Sequence, residues 1–429
     1  MRLPFWLTLT IAAVVTALAL GVAWAVLRPS GPPLTEAAFS LNRLSPNADG
    51  KDDIARLRYV LRRPANVSVY FMDAQGRRFH FRTDRPRLSG ENEVDFSGIV
   101  DPFRLPDDTF TGDILARVLP NGEYTWHVEA RAEDGESNAI TGPLTITDAD
   151  TALPELLNLS APPAFSPNRD GIDDRAELNV YLSKTIDPDR LRMYLIGPDG
   201  AQIPIPEGSA VSDLGRAGLH KYDYDGGIDQ GFNPPPGGAY TVRAEAEDRI
   251  GQRTAVSSTL TIRDSGLPRA EIARGELDLS AATVLIGQTL YFTVTIDNYG
   301  SAPIRTSGPL PGFVYPSMRD NYNTRGDYVQ AGVFRVGLMC ETCQNDYPWR
   351  WALGTPETLE MIVDSRGNRQ YYLPPGQSAV VTGGIVLDQI VPARNPQYFW
   401  VGLIHEDVEI AAINNRVDPQ QVTIVDPAK

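Results

Sequence analysis

One nine-residue motif occurs twice in this chain. Residues 45–53 read SPNADGKDD and residues 166–174 read SPNRDGIDD. The spacing of 121 residues holds beyond the motif itself. It places Leu57, Tyr59 and Leu61 on Leu178, Val180 and Leu182, each set alternating with its neighbours. Period-two alternation marks a half-buried strand, and a shared register marks the same strand in two related domains. A repeat of this size dictates tandem modules rather than one large catalytic body.

The copies agree again downstream. The turns DAQG (73–76) and GPDG (197–200) answer each other, as do VDFSGIVD (94–101) and YDYDGGID (222–229). NGEYTWHVEARAED (121–134) answers GGAYTVRAEAED (237–248), and both copies end on an LTI strand, at 144–146 and 260–262. Short strands with regular turn signals predict β-sandwiches. The 37 glycines and 35 prolines are spread along the chain, which argues against long helices beyond the first 30 residues. The expected fold is therefore all-β: tandem immunoglobulin-like sandwiches preceded by one transmembrane helix. Residues 1–36 form the anchor and a short Pro-rich stalk, 37–149 the first module and 150–267 the second. Residues 268–429 form a divergent β-sandwich with an aromatic-rich insertion.

Phe5 to Leu27 is an uncharged run of 23 residues. At about 1.5 Å per residue it matches a hydrocarbon core of about 30 Å. Arg2 precedes the run and Arg28 follows it, and the charge pattern leans towards a cytoplasmic N-terminus. This predicts a single-pass protein of the cell membrane with everything after residue 28 extracytoplasmic. The alternative is secretion after cleavage at the A-x-A shape of Ala23-Trp24-Ala25.

The net charge of −15 speaks against nucleic acid, whose phosphates require a basic face. It suits an exported surface and divalent cations, and equally plain solubility. The two cysteines, Cys340 and Cys343, lack the second pair or the nearby histidines of a zinc site. A local disulfide or two free thiols are the readings left.

In the second copy, Phe165-Ser166-Pro167-Asn168 and Asp170-Gly171 are followed by Tyr224-Asp225-Gly226 and Pro235-Pro236-Gly237. This combination resembles bacterial immunoglobulin-like modules. It is similar to the Ig-like domain of flagellar hook-capping proteins, the fibronectin-III-like domains of cell-envelope subtilases and the C-terminal modules of gliding-motility proteins. The first copy departs from it, with Leu44 for the phenylalanine and Phe96-Ser97-Gly98 for the aromatic-Asp-Gly. Asn298-Tyr299-Gly300, Pro374-Pro375-Gly376-Gln377-Ser378 and Asn414-Asn415 resemble the cell-adhesion-related domains of bacterial surface proteins. The resemblance implies the module and says little about its task.

The motif loops carry the main candidate chemistry. Asn47, Asp49, Asp52 and Asp53, and their counterparts Asn168, Asp170, Asp173 and Asp174, could gather oxygen ligands around Ca²⁺ on a Gly-permitted bend. The same residues equally make an Asx turn in which Asp49 and Asp170 bond backbone N–H groups. Asp223, Asp225 and Asp229 form a second acidic cluster at a strand end. Between residues 313 and 351 aromatic side chains concentrate, closing on Trp349 and Trp351. They serve either as packing or as a contact surface for glycans or other surface proteins. Asn66-Val67-Ser68 and Asn158-Leu159-Ser160 match the glycosylation sequon. No HExxH, G-x-S-x-G or phosphate-binding loop occurs, so the expected role is non-enzymatic. It is that of an exported, membrane-anchored scaffold or adhesion-type protein presenting its C-terminal domain on spacers. The alternative is a ligand-binding or accessory subunit of a cell-envelope complex.

Overall fold

The computed structural model describes residues 5–27 and 31–427. Arg2, Arg28 and the start of the stalk lie outside the described residues. The first element is a helix, Phe5–Leu27, whose side chains are described only for residues 9–20. Those side chains are exposed, and Thr16 returns its hydroxyl to the Ala12 carbonyl at 2.8 Å. Among the described residues no helix is long and apolar enough to cross a membrane, the fully described stretch 9–20 being short of a span.

Among the described residues after the helix, the regular structure is β-strands with short 3-10 turns. In the first domain Leu34–Phe39, Ala55–Leu61 and Gly90–Phe96 form one sheet. The facing sheet runs Arg43–Leu44, Ser137–Ile146, Gly122–Ala132, Ala65–Asp73, Arg78–Arg87. Ala55–Leu61 shows why. Ala55, Leu57, Tyr59 and Leu61 are buried while Arg56 and Arg58 are exposed and pair with Asp95 and Glu91 across the strand. Leu57, Phe71, Phe96 and Trp126 meet in one core, with Phe71 stacked on Phe96 at 4.4 Å.

The second domain repeats the plan. Leu156–Ser160, Ala176–Leu182 and Gly218–Tyr224 face Ala164–Phe165, Arg253–Ile262, Gly238–Glu247, Leu191–Ile196 and Gln202–Ile205. The third domain follows it too, under its insertions. Ala270–Ile272, Thr289–Asn298 and Ser378–Val386 lie in one sheet; Thr283–Leu285, Val417–Val425, Gln397–His405 and Phe334–Cys340 lie in the other. A short parallel pairing recurs in all three: Leu44 on Ile146, Phe165 on Ile262, Leu285 on Val425.

Most of the aromatic stretch is interior, Tyr328 being exposed. Trp349, Trp351, Tyr315 and Tyr347 are fully buried, and Trp351 packs edge-on against Phe292 and Tyr315. The expectation that Trp349 and Trp351 present a contact surface is therefore corrected. Their strand, Trp349–Trp351, pairs with Phe334–Cys340 and both rings point into the core, where their indole N–H groups bond carbonyls of Asp320 and Phe313.

The chain enters and leaves each of the first two domains at opposite ends. In the first domain Leu34 sits opposite Leu61 at one end, and Ile146 lies opposite Gly122 at the other. The motif loop lies at the exit end, where the Pro46 carbonyl accepts the Asp150 N–H. In the second domain the Pro167 carbonyl accepts the Gly266 N–H in the same way. Each motif loop thus faces the start of the next domain.

Candidate functional site

Both motif loops are closed by their own carboxylates. In the first, Asp53 accepts the N–H groups of Asn47, Ala48 and Gly50 at 3.0, 2.7 and 2.6 Å. Asn47 accepts from Asp49 N–H and Asp49 from Lys51 N–H. In the second, Asp174 accepts from Asp170 and Gly171, Asn168 from Asp170, and Asp170 from Ile172. These are Asx turns that aim backbone N–H groups at carboxylate oxygens. Asp49 and Asp52 stay exposed beside the first turn, as does Asp173 beside the second. Among the described residues no group of three or more His, Cys, Asp or Glu side chains could together hold a metal ion.

The surroundings of the two loops differ completely. The first is open to solvent. The second is pressed into a socket of the third domain, with Asn168 and Asp170 buried. The Tyr372 hydroxyl donates to Asp170 Oδ2 at 2.7 Å, and His405 Nε2 meets the Arg169 carbonyl at 2.8 Å. Gly171 and Gly332 face each other backbone to backbone. A Cβ on Gly332 would lie 2.0 Å from the Asp170 carbonyl carbon, and one on Gly171 would lie 2.1 Å from the Ala331 oxygen. Arg305 ties down the Ala331 carbonyl. Behind the socket, Glu406 takes both oxygens to Arg350 at 2.7 Å while its own carbonyl accepts the Gly332 N–H.

Burial changes the acid–base behaviour of the same residue in the two copies. At Asp53 desolvation pushes the carboxyl up, but the N–H groups of Asn47, Gly50, Ala48 and Asp49 outweigh it and hold it below its ordinary value. At Asp174 burial and then the neighbouring Asp170 charge prevail, and the carboxyl rises to about 6. Burial also raises Asp170, against the Tyr372 hydrogen bond, and lowers His405 to about 4.

The second acidic cluster converges on the same place. Asp225 accepts N–H groups of Gly227 and Asp229, and Asp223 and Asp229 both bind Arg175. Arg169 also reaches Asp229 at 3.0 Å. The first copy has Ala48 and Ile54 where the second has Arg169 and Arg175, and cannot make this bridge. A cleft of about 340 Å³ opens there, between Asp174, Arg175, Asp229 and Asp407. The socket residues Tyr372, His405 and Gly332 come from distant segments and carry no motif of their own.

The first junction uses a different device. Ile99–Val100 and Asp113–Val118 leave the first domain as an arm, and Asp113–Val118 pairs antiparallel with Arg253–Ile262 of the second. Gln252, fully buried, donates to the carbonyls of Asp150 and Ala152 and to Asp248. Thr254 donates to the Pro154 carbonyl.

Cys340 and Cys343 are joined in a disulfide, with Cα atoms 5.1 Å apart. Beside it lies a second cleft of about 330 Å³ lined by Asn321, Gln344, Asn345, Gln389 and Gln397.

No protein-family model matches the chain, and no curated protein matches it. Among solved structures it is similar to a tetra-tandem repeat from the extending region of a large adhesion protein. There the identity is 12%, coverage 92% of this chain and 74% of that one, and the TM-score 0.20. It is similar to a DUF4785 family protein of Legionella pneumophila (9% identity, 90% and 85% covered, TM-score 0.23). It is also similar to the alpha-2-macroglobulin of E. coli (11% identity, TM-score 0.19), covering 92% of this chain but only 23% of that protein's length. Structural likeness at these scores leaves function to the chain's own geometry.

Proposed function

We propose that this is an exported, non-enzymatic surface scaffold. The Phe5–Leu27 helix anchors it in a membrane, and two immunoglobulin-like spacers hold the third domain away from the surface. The observation that carries this reading is the coupling of consecutive domains. A strand donated across the first junction and a buried loop at the second join domains that are threaded end to end. Spacers with free linkers would need neither. The anchor reading is supported by the uncharged 23-residue helix, in which the Thr16 hydroxyl bonds within the helix, as a polar group in lipid must.

Protease treatment of intact cells and membrane fractionation test this proposal. The expected result is a chain that resists high-salt extraction and loses its β-domains to external protease. Release by salt, or full protection in intact cells, would overturn it. A second reading, an accessory subunit that binds a polar ligand, is favoured by the cleft beside the disulfide, lined by five amide side chains together with Arg319. Gln344→Ala combined with Asn345→Ala would then abolish binding in a glycan screen.

We read the motif loops as turns rather than calcium sites, because the Asp53 and Asp174 carboxylates already accept two or three backbone N–H groups each. A ligand of the native state must raise the melting temperature. Millimolar Ca²⁺ should leave it unchanged, and an upward shift would restore the cation.

A further inference from the structure

The strand Arg78–Arg87 is an edge strand of the five-stranded sheet of the first domain, its His80 carbonyl accepting the Asp101 N–H. With Arg77 just before it, the segment 77–87 holds five arginines and one carboxylate, Asp84, in a chain of net charge −15. Arg78, Arg82, Arg85 and Arg87 make no ion pair among the described residues. Arg78 lies over Tyr70, Arg82 over Phe81, and Arg87 reaches the Tyr59 hydroxyl. Arg82, Arg85 and Arg87 sit opposite Val69, Val67 and Ala65, so they fan over one side of the sandwich. Burial, then the neighbouring Arg87 and Arg85 charges, depresses the Arg82 guanidinium. Edge arginines also discourage strand pairing between copies, but that role does not require them to crowd one another.

Their position gives the cluster a direction. Arg87 pairs with Ala65 at the end of the domain where the chain arrives from the helix, the end that holds Leu34, Leu61 and Gly90. Leu88, in the turn beyond Arg87, is 78% exposed. Six residues separate Leu27 from Leu34, a reach of at most about 25 Å. The Arg62 N–H bonds the Pro33 carbonyl and fixes where the stalk meets the domain. The acidic hairpin at this end lies two strands away, about 10 Å; Arg63 binds its Asp134 and Glu136, and its Glu133 is exposed.

We infer that this end of the first domain docks on anionic lipid headgroups, with Arg85 and Arg87 binding phosphates and Leu88 entering the interface. The inference rests on the membrane-anchor reading above. It explains why unpaired cations gather on the domain nearest the helix, and it would hold that domain upright against the bilayer. Each basic residue near an anionic surface changes contact about fivefold.

The test uses the full chain carrying Leu88→Cys, whose thiol is the only free one because the described cysteines are disulfide-bonded. It is labelled with a polarity-sensitive dye and reconstituted into phosphatidylglycerol or phosphatidylcholine vesicles. Dye emission should shift to the blue in phosphatidylglycerol alone and return in high salt. Arg85→Glu with Arg87→Glu should abolish the shift, while the double Lys variant keeps it; melting curves confirm that both fold. Equal emission in the two lipids, or insensitivity to charge reversal, would overturn the docking. Flotation separates the two readings. A chain that floats with both vesicles but shows no lipid contrast in dye emission sinks the docking alone, whereas a chain that fails to float with either sinks the anchor and the docking together.

Discussion

The two motif loops have nearly the same sequence and opposite fates. The first stands in solvent, while the second is the knob of a domain interface. The hydrogen bonds inside each loop are alike, so the motif specifies a turn and nothing more. The difference comes from neighbours: Arg169 and Arg175 in place of Ala48 and Ile54, and a socket built by the third domain. Freed from interface duty, the first domain joins its neighbour by lending a strand. A repeated motif thus marks a position in the fold, and its use is set by what is packed against it.

Glycine substitution breaks this comparison most sharply. Gly332→Ala places a Cβ inside the Asp170 backbone at a residue with φ of +78°. Strain and overlap together should cost the second junction about 3 kcal/mol. Gly50→Ala has the same left-handed backbone, φ +89°, and open space around it, so about 1 kcal/mol of strain is all it should lose. Calorimetry and proteolysis between residues 262 and 270 measure the gap. Equal losses would mean that the second loop is not clamped.

The first junction should be nearly as sensitive, at a different residue. Gln252→Ala removes the amide that reaches the Asp150 and Ala152 carbonyls and Asp248, and leaves Lys184 as the Ala152 carbonyl's remaining donor. The expected cost is about 2–3 kcal/mol, seen as independent melting of the first two domains. Tyr372→Phe at the second junction removes one bond to a buried carboxylate and should cost about 2 kcal/mol. A change confined to the third domain's own melting would show that the bond does not couple the domains.

Much of this architecture was legible because it is local. The alternation of Leu57, Tyr59 and Leu61 and the repeated turns are written within a few residues of one another. The kinship of the third domain was hidden by the segments 299–333 and 341–377, which interrupt its strands. The arm was illegible for another reason: Ala116 pairs with Arg253, far along the chain, and no local signal separates an arm from a hairpin. Trp349 and Trp351 read as core packing or as surface, since period two places both on one face without saying which face is covered. Neither Tyr372 nor His405 carries a motif, so the socket emerges only once the third domain is folded.

Acidity sharpens the comparison with the smallest effect. Asp174 is raised to about 6, so the stability it contributes is complete below its unfolded value near 3.8 and is lost as pH rises through 6. His405 is lowered to about 4, so its contribution is complete above 6.5 and is lost as pH falls through 4. Asp170, raised by the same burial, adds to the Asp174 side. Between pH 4 and 6.5 the two trends oppose, so the second junction should vary less with pH than either side alone would make it. Removing one partner exposes the other. His405→Gln should make the junction stronger on acidification through that window, and Asp174→Asn should make it weaker. The first loop has no such balance: Asp53 is held low by its N–H donors, so its contribution is present above its unfolded value and declines only at lower pH. If both variants follow the parent's pH profile, the docked loop is as solvated as the free one, and the contrast between the two copies fails.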